Sequence, residues 1–129
     1  MLQALDEVPH FVVRDVDGTV VMYGSIWQRS HLVLVCLGHK IPADERDREG
    51  VQTYVRGIRA LAADDLACVV TRDAVPGLPS QGVVVADRWG EIVHVAPAAG
   101  VRSLPSAEDL AEWVAYIRIQ CPECEGEAR

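Results

Sequence analysis

The sequence predicts a single α/β domain with a mixed central sheet, and three features of its hydrophobic pattern lead to that class. Two short runs, residues 31–37 and 66–70, are apolar at nearly every position, as expected of strands covered on both faces. An amphipathic helical pattern separates these two runs. Two further segments each contain paired β-branched runs around a turn. A strand, a helix and a strand in this order form a right-handed crossover, so the two apolar strands should be parallel.

Chain length and charge limit the number of domains and the classes of partner. A chain of 129 residues has room for one domain with a real core but not for two. The formal net charge of −7 repels phosphate backbones and anionic lipid, so we expect neither nucleic acid nor a membrane as a partner.

The sequence does not open with a basic segment followed by a long apolar one, the pattern of a signal peptide. We therefore expect a cytoplasmic protein, in which a structural disulfide would be unusual.

The first half of the sequence contains a hairpin, a central strand, a helix and a second strand. The hairpin covers residues 11–23, FVVRDVDGTVVMY, where an Asp-Gly pair separates two β-branched runs. The strand over residues 31–37 should be the centre of the sheet. A helix should begin near Asp44, because DERDRE places acidic residues in its first turns and apolar side chains then recur at helical spacing. The strand over residues 66–70 follows.

The second half contains another hairpin and a final helix. Residues 83–95, VVVADRWGEIVHV, repeat the pattern of two runs around a turn. Ser106 and Asp109 then resemble a capping box. The helix that they begin has one apolar face, formed by Leu110, Trp113, Val114 and Ile117.

The order of these elements is similar to that of the thioredoxin fold. Residues 11–37, FVVRDVDGTVVMYGSIWQRSHLVLVCL, resemble the N-terminal half of the alkyl hydroperoxide reductase/thiol-specific antioxidant (redoxin) family. Residues 83–95 resemble that family's late hairpin, in which an aspartate precedes a glycine-centred turn. The resemblance implies a thioredoxin-like fold, with a mixed central sheet, two β-hairpins and flanking helices.

The sequence departs from this family at the position of the active site. Aligning LVLVCLGHKIPAD on the family's central strand and following loop places a thioredoxin-type CxxC on residues 41–44, where no cysteine stands. We therefore expect a degenerate active site without peroxidase turnover. The family's proline before the late hairpin is also unmatched, because Gln81 takes its place. Ligands gather at the carboxyl ends of strands, so the loop at the family's active-site position supplies candidate binding residues: Gly38, His39, Lys40, Pro42 and Asp44.

Two of the four cysteines lie inside apolar strands. Cys36 and Cys68 occupy the runs predicted as the two parallel strands, where a free cysteine acts as a small hydrophobic side chain. If the strands are adjacent and in register, the two sulfurs could approach each other, but a disulfide in a cytosolic core is the less favoured case.

The other two cysteines form the motif CPEC in an acidic tail. Pro122 should end the final helix near Cys121, which divides the chain into a domain over residues 1–120 and a tail over residues 121–129. Cys121 and Cys124 are candidate redox residues, although a helix C-terminus and neighbouring glutamates disfavour a thiolate.

The alternative interpretation of the CPEC pair is that it binds zinc, because CxxC supplies half of the ligands of a four-cysteine zinc site. A symmetric homodimer could supply the other two ligands. The sequence therefore leaves three functions open: slow thiol-disulfide exchange with a thiol substrate through CPEC and no cofactor, binding of a protein partner without catalysis, and a zinc-clipped dimer.

Overall fold

The computed structural model describes Gln3, residues 6–39 and residues 44–128, with only the backbone described for Val101 and residues 120–128. Six strands occur in chain order: β1 (Val12–Arg14), β2 (Val20–Met22), β3 (His31–Cys36), β4 (Leu66–Thr71), β5 (Gly82–Ala86) and β6 (Ile92–Pro97). Helix α1 (Glu45–Arg59) joins β3 to β4, and helix α2 (Ala107–Ala128) follows β6. The predicted α/β class and the predicted order of elements are both confirmed.

Strands β3 to β6 form a mixed sheet in the order β4-β3-β5-β6. β3 pairs in parallel with β4 and antiparallel with β5, and β5 pairs antiparallel with β6. The parallel pair follows from the helical crossover between β3 and β4. All six residues of β3 are buried, which confirms that this strand lies at the centre of the sheet.

The sheet separates two hydrophobic layers, which explains why β3 is apolar at consecutive positions. Val33 and Val35 face the layer that contains α1 and α2, where they pack with Ile58 and Leu110 among others. The alternate residues of β3 face the opposite layer, which the first hairpin and the loop before β5 cover: Leu32, Leu34 and Cys36. A strand with a core on each side needs an apolar side chain at each position.

The first hairpin is a separate two-stranded sheet, in which Val13 pairs with Val21. The buried carboxylate of Asp15 holds its turn against β4, since the Val70 N–H donates to Asp15 Oδ2 at 3.1 Å. In return, the Val16 N–H donates to the Val70 carbonyl at 2.9 Å. Asp15 also pairs with the guanidinium of Arg59 at the end of α1. The hairpin turn is therefore fixed beside both β4 and α1.

Side-chain caps begin both helices where the sequence predicts. Asp44 Oδ1 accepts a hydrogen bond from the Asp47 N–H at 2.8 Å, and Ser106 Oγ accepts one from the Asp109 N–H at 3.1 Å. Each cap satisfies a backbone donor that has no partner within its helix.

The predicted end of α2 is wrong. The helix continues past Pro122 to Ala128, so the backbone of CPEC is helical. Proline removes one backbone hydrogen bond and crowds the preceding turn, but its fixed φ near −65° is compatible with helical backbone, and so it can bend a helix without ending it. Within the part of the chain that the structure describes, neither helix is long and apolar enough to cross a bilayer.

Candidate functional site

The loop after β3 begins with a tightly held glycine. Gly38 is buried and has a φ of 79°, and a Cβ atom placed on it would lie 2.8 Å from Gln81 Cγ. Gln81 Nε2 donates a hydrogen bond to the Leu37 carbonyl at 3.0 Å, and Arg72 Nη1 donates one to the Gly38 carbonyl at 3.2 Å. These two side chains, from the segment between β4 and β5, fix the start of the loop.

The structure describes three of the five candidate binding residues in this loop. Gly38 has the role just given, His39 is exposed, and Asp44 is exposed and caps α1. Lys40 and Pro42 lie outside the described residues. Among the described loop residues, therefore, His39 is the one whose exposed side chain has no evident structural role.

A groove of about 450 Å³ lies at the carboxyl ends of β3 and β4. It runs between α1 and the turn of the first hairpin, and we call it the arginine groove. Its apolar lining comes from four side chains: Val16, Leu37, Val51 and Val55. Its polar lining comes from one glutamine and three arginines: Gln52, Arg56, Arg59 and Arg72.

The three arginines of the groove have different surroundings. Arg59 pairs with the buried carboxylate of Asp15 and lies 3.7 Å from Asp17 Oδ2. Hydrogen bonds from Thr19, helped by the charge of Arg59, lower the pKa of Asp17, so this carboxylate remains ionised. Arg72 is held by the Gly38 carbonyl. Arg56 is exposed and makes no ion pair with any described residue.

The two strand cysteines lie on opposite faces of the sheet. Cys36 stands opposite Thr71 and Cys68 opposite Val33, so the sulfurs are out of register and belong to different hydrophobic layers. Both thiols are free, and burial raises the pKa of each to about 11. Their predicted placement inside the two parallel strands is confirmed. Neither is suited to act as a nucleophile near neutral pH.

The CPEC segment lies at the other end of the sheet. Arg118 of α2 makes a bidentate ion pair with Asp65, through hydrogen bonds of 2.8 and 2.7 Å. Asp65 immediately precedes β4, and its carbonyl accepts a hydrogen bond from the His31 N–H at the start of β3. Cys121 follows Arg118 by about 4.5 Å along the helix axis.

The backbone of Cys121 is therefore near the amino ends of the parallel strands. Gly38 lies at their carboxyl ends, about 16–20 Å away along a strand of this length. In one chain, the CPEC backbone and the start of the loop after β3 do not form one site. Among the described side chains, no cluster of three or more histidine, cysteine or acidic residues could hold a metal ion. The side chains of Cys121 and Cys124 lie outside that set, so their redox and zinc roles remain predictions.

The arginine groove was not predicted from the sequence. Arg56 and Arg59 are three residues apart, so they are neighbours on one surface of the helix. This spacing was the one feature of the sequence that could have indicated a cationic site. Val16 and Arg72 are distant from them in sequence and join them only because Asp15 docks the hairpin on β4 and α1.

The protein is a small α/β domain with a mixed four-stranded sheet, a β-hairpin and two helices. No family model matches the chain, and no curated protein sequence matches it significantly.

Proposed function

We propose that this chain is a redoxin-like domain of thioredoxin fold that binds a ligand at the carboxyl edge of its sheet and performs no thiol chemistry there. The order of the strands supports the fold assignment: a parallel pair joined by a helix, two antiparallel strands and then a helix. The resemblance of residues 11–37 and 83–95 to the redoxin family implies that order.

One observation carries the functional part of the proposal. Where a redoxin would present a reactive cysteine, the carboxyl ends of β3 and β4 present the arginine groove. Ligands of open α/β sheets bind at this edge, and concave sites of about 300–1,000 Å³ with an apolar lining and a few polar groups are typical for small molecules. The cysteine at this end of β3, Cys36, is buried and has a pKa of about 11.

A fragment screen tests the proposal. Small water-soluble acids, amines and alcohols are added to ¹⁵N-labelled full-length protein, and changes in backbone amide shifts are mapped. We expect the largest changes at the amides that line the groove, such as those of Val51, Val55 and Arg72. Changes concentrated elsewhere on the domain would contradict the assignment of the groove as the binding site.

Thiol-disulfide exchange through CPEC is the second candidate function. Cys121 and Cys124 lie one turn apart on α2, and residues three apart on a helix are close enough for their Cα atoms to fall within the range that a disulfide spans. In this role the partner would be a thiol substrate or a second protein, and no cofactor is needed. The zinc-clipped dimer remains the third candidate.

Free-thiol counting and zinc analysis separate these possibilities, on protein purified without added reductant or chelator. A redox role predicts two thiols that oxidise reversibly, and their loss in Cys121→Ser with little change in melting temperature. A zinc clip predicts bound metal that Cys121→Ser releases together with the dimer. Four free thiols, no metal and no effect of Cys121→Ser would leave the binding module alone.

A further inference from the structure

We infer that the ligand of the arginine groove is a small organic anion with an apolar body and one carboxylate or phosphate head group. This inference rests on the proposed function, because it names the chemical class that the same groove would take. Three features of the groove lead to it: the sign of its charged lining, the fixed position of two of its arginines, and its apolar walls.

The charge of the groove is opposite to that of the whole chain. The chain carries a formal net charge of −7, yet each charged side chain that lines the groove is an arginine. Two carboxylates of the hairpin turn, those of Asp15 and Asp17, pair with Arg59. A cationic lining in an acidic protein favours an anion locally, while the rest of the surface repels polyanions such as nucleic acid.

The arrangement of the arginines suits one head group. Asp15 holds Arg59, and the Gly38 carbonyl holds Arg72, so these two side chains are positioned before any ligand arrives. The guanidinium of Arg56, one turn before Arg59 on α1, has neither an ion pair nor a hydrogen bond with any described residue. A guanidinium binds a carboxylate or a phosphate through two parallel hydrogen bonds. We therefore assign the main contact with the head group to Arg56.

The apolar walls argue against a bare inorganic ion. Four aliphatic side chains line the same groove, from the hairpin turn, the residue after β3 and one face of α1: Val16, Leu37, Val51 and Val55. Covering them removes apolar surface from water, at about 25 cal/mol for each Å². A short alkyl chain attached to the head group would gain this contribution, whereas free phosphate or acetate would not.

The test compares four probes that share a six-carbon chain. Hexanoate, hexyl phosphate, hexanol and hexylamine are each titrated into ¹⁵N-labelled full-length protein while the groove amides are followed. We expect saturable shifts with one or both anions, at least about tenfold weaker binding of hexanol, and no groove binding of hexylamine, since only an anion forms the charge-assisted pair with Arg56. Comparing the two anions shows whether the site prefers a carboxylate or a phosphate ester.

Two variants with the same change in net charge provide the control. Arg56→Gln should weaken binding of the preferred anion about tenfold. Arg29→Gln changes an exposed residue that precedes β3, at the opposite end of the sheet from the groove, and should leave the affinity unchanged. An equal loss in both variants would show a general effect of charge and would overturn the assignment of Arg56.

The outcomes also separate this inference from the proposed function. Hexanol or hexylamine binding as tightly as the anions would overturn the anionic class and leave the groove as a binding site. The absence of groove shifts with both anions would overturn the inference as well. Two other results would contradict the proposed function itself: fragments of every class bind elsewhere on the domain, or the protein turns over thiol substrates in a reaction that depends on Cys36.

Discussion

At Cys36, the surroundings of the side chain decide its chemistry. It is the last residue of β3, at the carboxyl edge of the sheet where our proposal places the active site of the redoxin family, but only 2% of its surface is exposed. Burial raises the pKa of its thiol to about 11, so the thiol stays protonated at neutral pH. A cysteine close to the position of a family's active site is therefore no evidence for that family's reaction.

Val35 tests the central position of β3. Its side chain is fully buried in the layer beneath the two helices, so Val35→Asp should lower the free energy of unfolding by at least about 3 kcal/mol, because an unpaired charge would enter the core. Val12→Asp makes the same exchange at a side chain that is 63% exposed, and should cost less than about 1 kcal/mol. Urea denaturation measures both values. Similar losses in the two variants would place β3 at the surface.

His31 should make stability depend on pH. Its side chain is buried and its Nδ1 accepts a hydrogen bond from the Arg88 N–H at 3.0 Å. Burial lowers the pKa of His31, with a further contribution from the charge of Arg88 that outweighs the opposing effect of Asp65. Burial also lowers the pKa of His94, which stacks on Trp113.

The folded state disfavours the protonated form of both histidines. As the pH falls through the ordinary histidine pKa of about 6.5, the unfolded chain therefore binds more protons than the folded protein does. Stability should therefore be complete above that pH and decrease as the pH falls through it. Urea midpoints between pH 5 and pH 8 measure this slope. His31→Asn keeps an acceptor for the Arg88 N–H and removes a titrating group, so it should flatten the slope, and a steeper slope in this variant would contradict the account.

Among the elements, the first hairpin depends most on one side chain. Asp15 accepts hydrogen bonds from the Val70 N–H and from Arg59, and so joins the hairpin turn to β4 and α1. Asp15→Asn should destabilise the fold by about 2 kcal/mol, because it leaves the guanidinium without its buried partner. Hydrogen exchange at the Val70 amide should become faster.

Asp17→Asn is the matched control for Asp15, since it removes a carboxylate of the same turn that is exposed and lies 3.7 Å from Arg59. It should have a much smaller effect on both measurements. If the two variants behave alike, Asp15 does not anchor the hairpin.

The sequence predicts elements well where one local pattern decides the structure. Neighbouring residues specify the apolar run of β3, the Asp-Gly turn of the first hairpin and the start of α1 near Asp44, and the structure confirms all three. Pro122 shows where prediction from local sequence fails. A proline removes one backbone hydrogen bond, but it does not determine whether the helix continues after it. The arginine groove could not be predicted, because its residues meet only after the hairpin docks.

At the scale of the whole molecule, the sheet has two distinct ends. The arginine groove and Gly38 lie at the carboxyl ends of β3 and β4, whereas Arg118 holds the helix that carries CPEC near their amino ends. The division has a functional consequence under our proposal: a ligand in the groove and a reaction at CPEC would take place on opposite sides of the domain. Variants at one end should therefore leave the other end unaffected.

Hydroperoxide turnover tests the central claim most directly. The full-length protein is assayed with hydrogen peroxide and an organic hydroperoxide, with dithiothreitol or a thioredoxin system as the reductant, beside a variant in which Cys36 and Cys68 are replaced by alanine. The account predicts that the wild-type protein consumes peroxide no faster than this variant, because the thiols of its strands are buried and protonated. Catalytic turnover by the wild type that is lost on replacing Cys36 would contradict it.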